Sequence, residues 1–369
     1  GEAVSMWNWG GTRNPGEMKI RVYNPRFEQH GWHSTHTVIE IVNDDMPFLV
    51  DSVTMELNRQ NLTVHYTAHP VFVVNRDKDG KAIDFPLADK TPSEGNPESF
   101  MHLEVDEQSL PEALESIEEG LRIALTAVRA GVEDWSTMRA KAIDLVTEMK
   151  KNPPKGLAKE LVNETREFLQ WMHDDHYTFL GYRELSYEGT GKKLKLKVVE
   201  DSGLGVLRDA ETQVFEGLRN LGELPADIQA SVLSPDLVRI TKSNNRSLVH
   251  RRAHMDTIAI KKFDANGKPV GERLFVGLLT SVAYNQSPRE IPFLRSKVDD
   301  VIRASGYEPG GHSAKALMHV LESYPRDELF QISAPQLTEI ALGIVQLQER
   351  QRISVFLRPD PFQRYISVI

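Results

Sequence analysis

The chain has 369 residues, with 44 lysines and arginines against 53 aspartates and glutamates for a net charge of −9; at about 150 residues per domain it holds two or three domains. With 40% hydrophobic and 26% charged residues it has globular composition, which disfavours wholesale disorder, a collagen-like chain and a basic nucleic-acid binder. The absence of cysteine removes disulfides, thiolate metal ligation and a cysteine nucleophile, and no apolar run approaches the roughly 20 residues of a membrane helix or forms a signal peptide, so a soluble cytoplasmic protein is expected.

Residues 1–33 carry seven glycines or prolines and read as an N-terminal extension with one short strand, Lys19 to Tyr23. Thr37 to Val42 is β-branched and apolar, a strand. Asn43-Asp44-Asp45 supplies capping groups and Pro47 suits a first helical turn. Phe48, Leu49, Val53 and Leu57 then space a helix out to about Asn61. Strands follow at Val71 to Asn75 and Lys81 to Phe85, joined by Asp77-Lys78-Asp79-Gly80, and after a loop from Pro92 to Pro97 a further strand runs from Ser99 to Val105. A helix from Pro111 carries Leu114, Ile117, Leu121, Leu125 and Val128 at steps of three and four. The order β-α-β-β-β-α over 34–131 predicts a ferredoxin-like α+β module.

Residues 132–176 read as a helical linker broken at Asn152-Pro153-Pro154. Residues 177–287 read as an antiparallel sheet module of PAS-like type, with strands at Tyr177 to Tyr187, Leu194 to Val199, Leu237 to Thr241, Leu248 to Lys262 and Arg273 to Tyr284. A helical insert occupies roughly Thr212 to Leu233. Residues 288–350 form a helical segment with helices at Pro292 to Ala304, Ala314 to Ser323 and Pro335 to Gln348. Finally, 351–369 reads as a hairpin, Ile353 to Leu357 and Tyr365 to Ile369, that stops in mid-strand; a fragment whose native polypeptide continues is expected, because open apolar edges invite aggregation.

There is no P-loop, and Gly203-Leu204-Gly205 lacks the third glycine of a dinucleotide fingerprint. Asn75 to Gly80 matches the opening of a calcium loop, but its twelfth position is Pro86 where a bidentate glutamate is needed, which leaves a hairpin. In His173-Asp174-Asp175-His176 the histidine spacing offers two metal ligands without an identifiable third, and a helix end followed by a turn explains the same residues. No metal site is assigned. As a strand, residues 250–256 put His250, Arg252, His254 and Asp256 on one face. Three readings of that face stand: an anionic or zwitterionic ligand site, a solvated sheet face, and a hydrolase metal triad of His250, His254 and Asp256. Charge is polarised: Glu98 to Asp134 has ten acids against two arginines, while Asp236 to Arg273 has nine bases against four acids. With one aromatic residue in that basic stripe, intramolecular or intersubunit pairing is favoured over nucleic acid.

Asp45-Met46-Pro47-Phe48-Leu49-Val50, after a strand and opening a helix, resembles the D-x-P-G-L-L start of ACT domains, with Phe48 in place of the glycine. A ligand there would sit on the helix N-terminus beside Asn43, Asp44, Asp45 and Phe48; a degenerate fold used for packing is the other reading. The module lacks a strand after its second helix, a slot that Lys19 to Tyr23 is available to fill. Together, DDMPFLVDSV (44–53), HDDHYTFLGYRE (173–184), HRRAHMDTIAIKKFD (250–264), VGERLFVGLLTSVAY (270–284), GGHSAKALMHVLESYPRDELFQI (310–332) and QLQER (346–350) resemble the N-terminal region of the large bacterial NAD-specific glutamate dehydrogenases. The resemblance implies a cytoplasmic homo-oligomer that converts L-glutamate to 2-oxoglutarate, with its catalytic residues and NAD site outside this chain. It also implies that this segment is regulatory, built of ACT-like and PAS-like modules and the start of a second ACT-like module. Its partners would be its own catalytic domain, sister subunits and an amino-acid effector, with no nucleic acid, membrane or cofactor of its own. Effector contacts are expected from Asn43, Asp44, Asp45, Phe48, His250, Arg252, His254 and Asp256. A purely structural, oligomerising role is the alternative.

Overall fold

The computed structural model describes residues 2–84, 95–215, 218–348, 353–360 and 364–369, and the chain divides into two units. Gly1–Val132 with Ser247–Arg252 makes the first; Glu133–Arg246 with Ala253–Ile369 makes the second.

The first unit runs α1 (Glu2–Gly10), β1 (Lys19–Tyr23), α2 (Phe27–His30), β2 (Thr37–Asp44), α3 (Leu49–Arg59), β3 (Val64–Ala68), β4 (Val71–Arg76), β5 (Ala82–Asp84), β6 (Asn96–Val105) and α4 (Pro111–Glu133). Its antiparallel sheet has the order β1-β2-β6-β4-β5, with β3 also on β6. Strand alternation sends Ile39 and Ile41 of β2 and Met101, Leu103 and Val105 of β6 to one face, all fully buried. The apolar stripes of α3 (Leu49, Val53, Leu57) and α4 (Ile117, Leu121, Leu125, Val128) are buried as well. On the other face Val42, Val74 and Phe100 pack with Met6 and Trp9 of α1. The ferredoxin-like expectation fits this sheet, and β1 takes the open slot, pairing Lys19 to Tyr23 against Val42 to Val38.

Neither α1 nor β3 was expected; α1 lies in a Gly-rich stretch, and β3 has one face in solvent and hence little apolar alternation. Helix α3 begins at Leu49, two residues past Pro47, because Phe48 is left-handed at φ 71°. Asp77 closes the hairpin turn by accepting from the Asp79 and Lys81 amides, so the calcium-loop pattern is a turn. Phe85 and the first half of the Pro92 to Pro97 loop fall outside the described residues.

The second unit runs α5 (Trp135–Lys151), α6 (Lys159–Trp171), β7 (Tyr177–Glu188), β8 (Lys195–Val198), β9 (Leu204–Gly205), α7 (Ala226–Leu233), β10 (Val238–Arg246), β11 (His254–Phe263), β12 (Pro269–Leu279), α8 (Ser281–Asn285), α9 (Leu294–Ser305), α10 (His312–Ser323), α11 (Arg326–Gln331), α12 (Ala334–Gln348), β13 (Leu357–Pro359) and β14 (Ile366–Val368). The antiparallel order β10-β11-β12-β7-β8 joins the last long strand to the first, with β9 also on β7. One core combines Met138, Leu145, Phe168 and Leu169 of α5 and α6, Phe179, Ile258 and Phe275 of the sheet, and Val298, Leu321 and Ala341 of the later helices. The segment read as a linker is therefore one layer of this core.

Three strand boundaries need correction. The strand read from Leu248 begins at His254, since His250 is left-handed at φ 67° and Val249 is buried in a loop. The strand read to Tyr284 ends at Leu279, where the Thr280 hydroxyl accepts from the Ala283 amide and starts α8. The terminal pairing is Leu357–Pro359 with Ile366–Val368, shifted from the expected hairpin, and residues 361–363 lie outside the description. An additional helix, α11, follows Pro325. No helix among the described residues is long and apolar enough to cross a membrane.

Candidate functional site

The start of α3 is built from β2. Asn43 ends buried, its Oδ1 accepting from Arg129 Nη2 at 2.5 Å, while Asp44 accepts from Arg13 Nη2 at 2.6 Å and from Arg129 Nη1 at 2.8 Å. Burial alone would raise the Asp44 carboxyl, but the two guanidinium groups outweigh it and hold it below the ordinary aspartate value. Glu98, beside them on β6, is likewise held low by Arg76 and Arg13 against its own burial. Asn43 and Asp44 thus serve an internal network of three arginines and two carboxylates.

Asp45 is exposed, its amide donating to the Pro97 carbonyl at 2.9 Å. Phe48 precedes α3 in the left-handed region, and its ring lies 5.3 Å from that of His250. His250, in the loop that belongs to this unit, donates its amide to Ser52 Oγ at 3.0 Å and places Nδ1 at 2.7 Å from Asp51 Oδ2. Arg252 is exposed, its charge acting on Glu56. The first turn of α3, where an effector was expected, is contacted by the chain's own loop.

His254 and Asp256 belong instead to β11 of the second unit, so the four-residue face read from the sequence does not form. His254 packs at Ser243 O, 3.1 Å away. Asp256 is buried and accepts from Lys242 Nζ at 2.7 Å and from the Leu279 amide at 3.2 Å, its side chain committed to holding β10, β11 and β12 together. The metal-triad reading of His250, His254 and Asp256 falls with that face; among the described residues no cluster of three or more His, Asp or Glu is disposed around a metal position. His173 to His176 form a turn after α6, in which His176 Nδ1 meets the Trp171 carbonyl at 2.9 Å.

The second unit holds a cavity of about 50 Å³ that the sequence reading missed. It sits on the sheet face opposite the helical core, where cross-strand partners line up in rows. Arg239, Ala259, Leu274 and Arg183 form one row across β10, β11, β12 and β7; Lys261, Glu272, Leu185 and Val198 form the next, continuing to β8. Arg183, Leu185, Val198, Arg239, Glu272 and Leu274 line the cavity, with Leu196 from β8 and Val214 and Phe215 from the segment over it. The buried Arg183 guanidinium ties that segment down through the Leu207, Asp209 and Thr212 carbonyls at 3.0, 2.6 and 2.8 Å.

Glu272, fully buried, accepts from Arg239 Nη2 at 2.5 Å and from the Tyr187 hydroxyl at 3.0 Å. Burial opposes its ionisation, yet Arg239 and Lys261 keep it below the usual carboxylate range. Lys261 donates to Tyr187 Oη at 2.7 Å and to the Val232 carbonyl, and burial brings its ammonium down to about 8 against the pull of Glu272. Burial also raises the Tyr187 phenol, which Glu272 reinforces. An aliphatic recess ending on an arginine held by a buried carboxylate is equipped to orient a small polar-headed ligand. Its signal in the sequence was faint, amounting to charged residues inside otherwise apolar strands.

Residues 1–121 match the family described as "Glutamate dehydrogenase, ACT1 domain", and residues 291–350 match "Glutamate dehydrogenase, helical motif 1". The whole chain is similar to the NAD-specific glutamate dehydrogenase of Halomonas elongata, at 39% identity over 369 residues, 100% of this chain and 23% of that protein. It is 38% identical over 365 residues to the protein of that name from Pseudomonas aeruginosa, covering 99% of this chain and 22% of the relative. A relative of the same name from Mycobacterium tuberculosis is 26% identical over 340 residues, 90% of this chain and 19% of its own. The chain therefore spans less than a quarter of the length of these relatives.

Proposed function

Since the chain belongs to the NAD-specific glutamate dehydrogenases as a region of such an enzyme, we propose that it is a regulatory and assembly segment of a parent that oxidises L-glutamate with NAD and water to 2-oxoglutarate, ammonium and NADH. The observation that carries this reading is the ACT1 match over 1–121, a module type used for amino-acid sensing, beside a sheet module with its own ligand-sized cavity. The segment itself is non-catalytic in this reading, with NAD bound elsewhere in the parent; its partners are the catalytic part and sister subunits in a cytoplasmic oligomer. The second unit is read as PAS-like, a single antiparallel sheet with helices on one face and a recess on the other. Regulation requires that an effector bind two states of the parent with affinities differing typically by 1 to 3 kcal/mol.

Deleting this segment from the parent is expected to leave basal turnover while abolishing any change in rate with amino acids. Calorimetric silence of the chain toward all twenty amino acids, together with an undiminished effector response after deletion, would sink the sensing role. If deletion lowers the oligomer mass and leaves effector kinetics intact, the structural reading holds instead.

A further inference from the structure

We infer that Ser247–Arg252 is an autoinhibitory latch on the start of α3: docked, it occupies that surface, and it must lift off as one piece before an effector can bind there. The loop is built to move as a unit. Ser247 Oγ accepts from the Val249 amide at 3.0 Å and donates to the Val249 carbonyl at 2.8 Å, and the Arg251 amide donates to that same carbonyl at 2.9 Å. Polar groups met inside the loop stay met when it lifts, so lifting strands few of them. Arg246 and His254 form the pair of the β10–β11 ladder nearest the loop, and the register shifts between Lys242 and Arg246. A closed tip beyond an irregular ladder places the hinge at that shift.

The docking contacts are few and individually weak. The His250 amide donates to Ser52 Oγ at 3.0 Å, the His250 ring lies 5.3 Å from that of Phe48, and His250 Nδ1 stands 2.7 Å from Asp51 Oδ2. Both members of the last pair are exposed, 41% for His250 and 55% for Asp51, so water competes for it. Of the six residues only Ser247 and Val249 are buried, and Val249 is the loop's single buried apolar side chain. His250 also holds a left-handed backbone, φ 67°, which its Cβ disfavours and undocking relieves. On the helix, the Ser52 hydroxyl is free to turn to the carbonyl four residues back once the loop has gone. Contacts of this kind break in local openings that leave the rest of a fold intact. Phe48 gives the first-turn amides of α3 no side-chain cap, so the lifted state presents open donors where an amino-acid carboxylate was expected.

As a brake on effector binding the latch rests on the regulatory reading above, whereas its movement is tested without it. The chain has no cysteine, so Val249→Cys supplies a single thiol whose alkylation by iodoacetamide reports opening of the loop. Val105→Cys, at a fully buried position of β6, reports unfolding of the first unit. Val249→Cys is expected to react at least about tenfold faster than Val105→Cys, and Ser52→Ala or His250→Ala to quicken it about tenfold more with no change at Val105→Cys. Equal rates at the two cysteines, or a Val249→Cys rate that neither variant changes, would overturn the latch. In the parent, Ser52→Ala is expected to lower the amino-acid concentration at half-maximal response by the factor by which it quickens alkylation, because a ligand of the lifted state alone has its affinity scaled by that state's population. A response whose half-maximal concentration stays fixed while alkylation quickens would overturn the inhibitory role and leave the regulatory reading, the effector then binding elsewhere. Absence of any response to the twenty amino acids would overturn the regulatory reading and the inhibitory role with it, leaving only the movement.

Discussion

Phe48 and Phe293 share a local device. Asp45-Met46-Pro47-Phe48-Leu49 and Glu290-Ile291-Pro292-Phe293-Leu294 each place phenylalanine just before a helix in the left-handed region, at φ 71° and 67°. A Cβ costs roughly 1 to 2 kcal/mol there. Comparing Phe48→Ala with Phe48→Gly cancels the loss of the ring, and the glycine variant is expected to be more stable by about 1 kcal/mol in urea titration, with the same order at Phe293. The proline and the helix spacing were legible in the sequence; the positive φ was not, since phenylalanine is a poor signal for it. The Asn43 and Asp44 partners were equally hidden, because Arg13 is 31 and Arg129 is 85 residues from Asp44. Glu98→Ala would leave Arg13 and Arg76 without their buried carboxylate, and about 3 kcal/mol or more of stability should be lost in denaturant unfolding. Because Asp44 and Glu98 are held below their ordinary values, their contribution is complete above those values and should drain away as pH falls below about 4.

Elements with a long periodic face were read well from sequence, as α4 and β7 show, because their burial repeats over many residues. Boundaries set by single tertiary contacts were read poorly. The run from Leu248 to Lys262 has strand composition throughout, yet its first third turns away at His250, whose amide is taken by Ser52, 198 residues earlier in the chain. Glycines near β9 show the same principle in reverse. Gly203-Leu204-Gly205 resembles part of a nucleotide loop, but its need for glycine is steric: a Cβ on Gly205 would stand 2.1 Å from the Leu180 carbonyl oxygen, at φ +61°, and one on Gly203 would stand 2.3 Å from the Leu207 carbonyl oxygen. Gly205→Ala should therefore destabilise the second unit by more than about 1 kcal/mol, visible as a lower midpoint in thermal unfolding. An unchanged midpoint would mean that β9 shifts freely.

The uneven charge distribution resolves within the second unit. Arg239 pairs with Glu272, Lys242 with Asp256 and Asp327, Lys262 with Glu184 and Arg273 with Glu148, so four of the nine bases of that stripe are answered by carboxylates of the same unit. Two lysines are exceptions in kind. Lys261 and Lys297 are both brought to about 8 by burial, and Lys297 donates to the Leu329, Phe330 and Ile332 carbonyls at the end of α11. Against an unfolded value of 10.5, the unfolded chain holds more protons between the two values, so stability rises with pH in that window. Melting temperature should increase from pH 7.5 to 9.5, and Lys261→Met with Lys297→Met should flatten the rise. Measurement belongs below pH 10, since burial raises the Tyr177, Tyr182 and Tyr187 phenols and reverses the sign above it.

The place of β1 bears on the order of synthesis. An edge strand that precedes its neighbour in the chain is already made when β2 emerges, and their pairing spans only the distance from Lys19 to Val42. The six-stranded sheet of the first unit has all its strands once Val105 has been translated, and its helical cover once α4 follows. Only Ser247–Arg252 must arrive from far downstream. During translation the start of α3 is thus the last surface of this unit to be covered, exposed for as long as the ribosome needs to add more than a hundred further residues after α4, roughly 6 to 23 seconds at 5 to 20 residues per second.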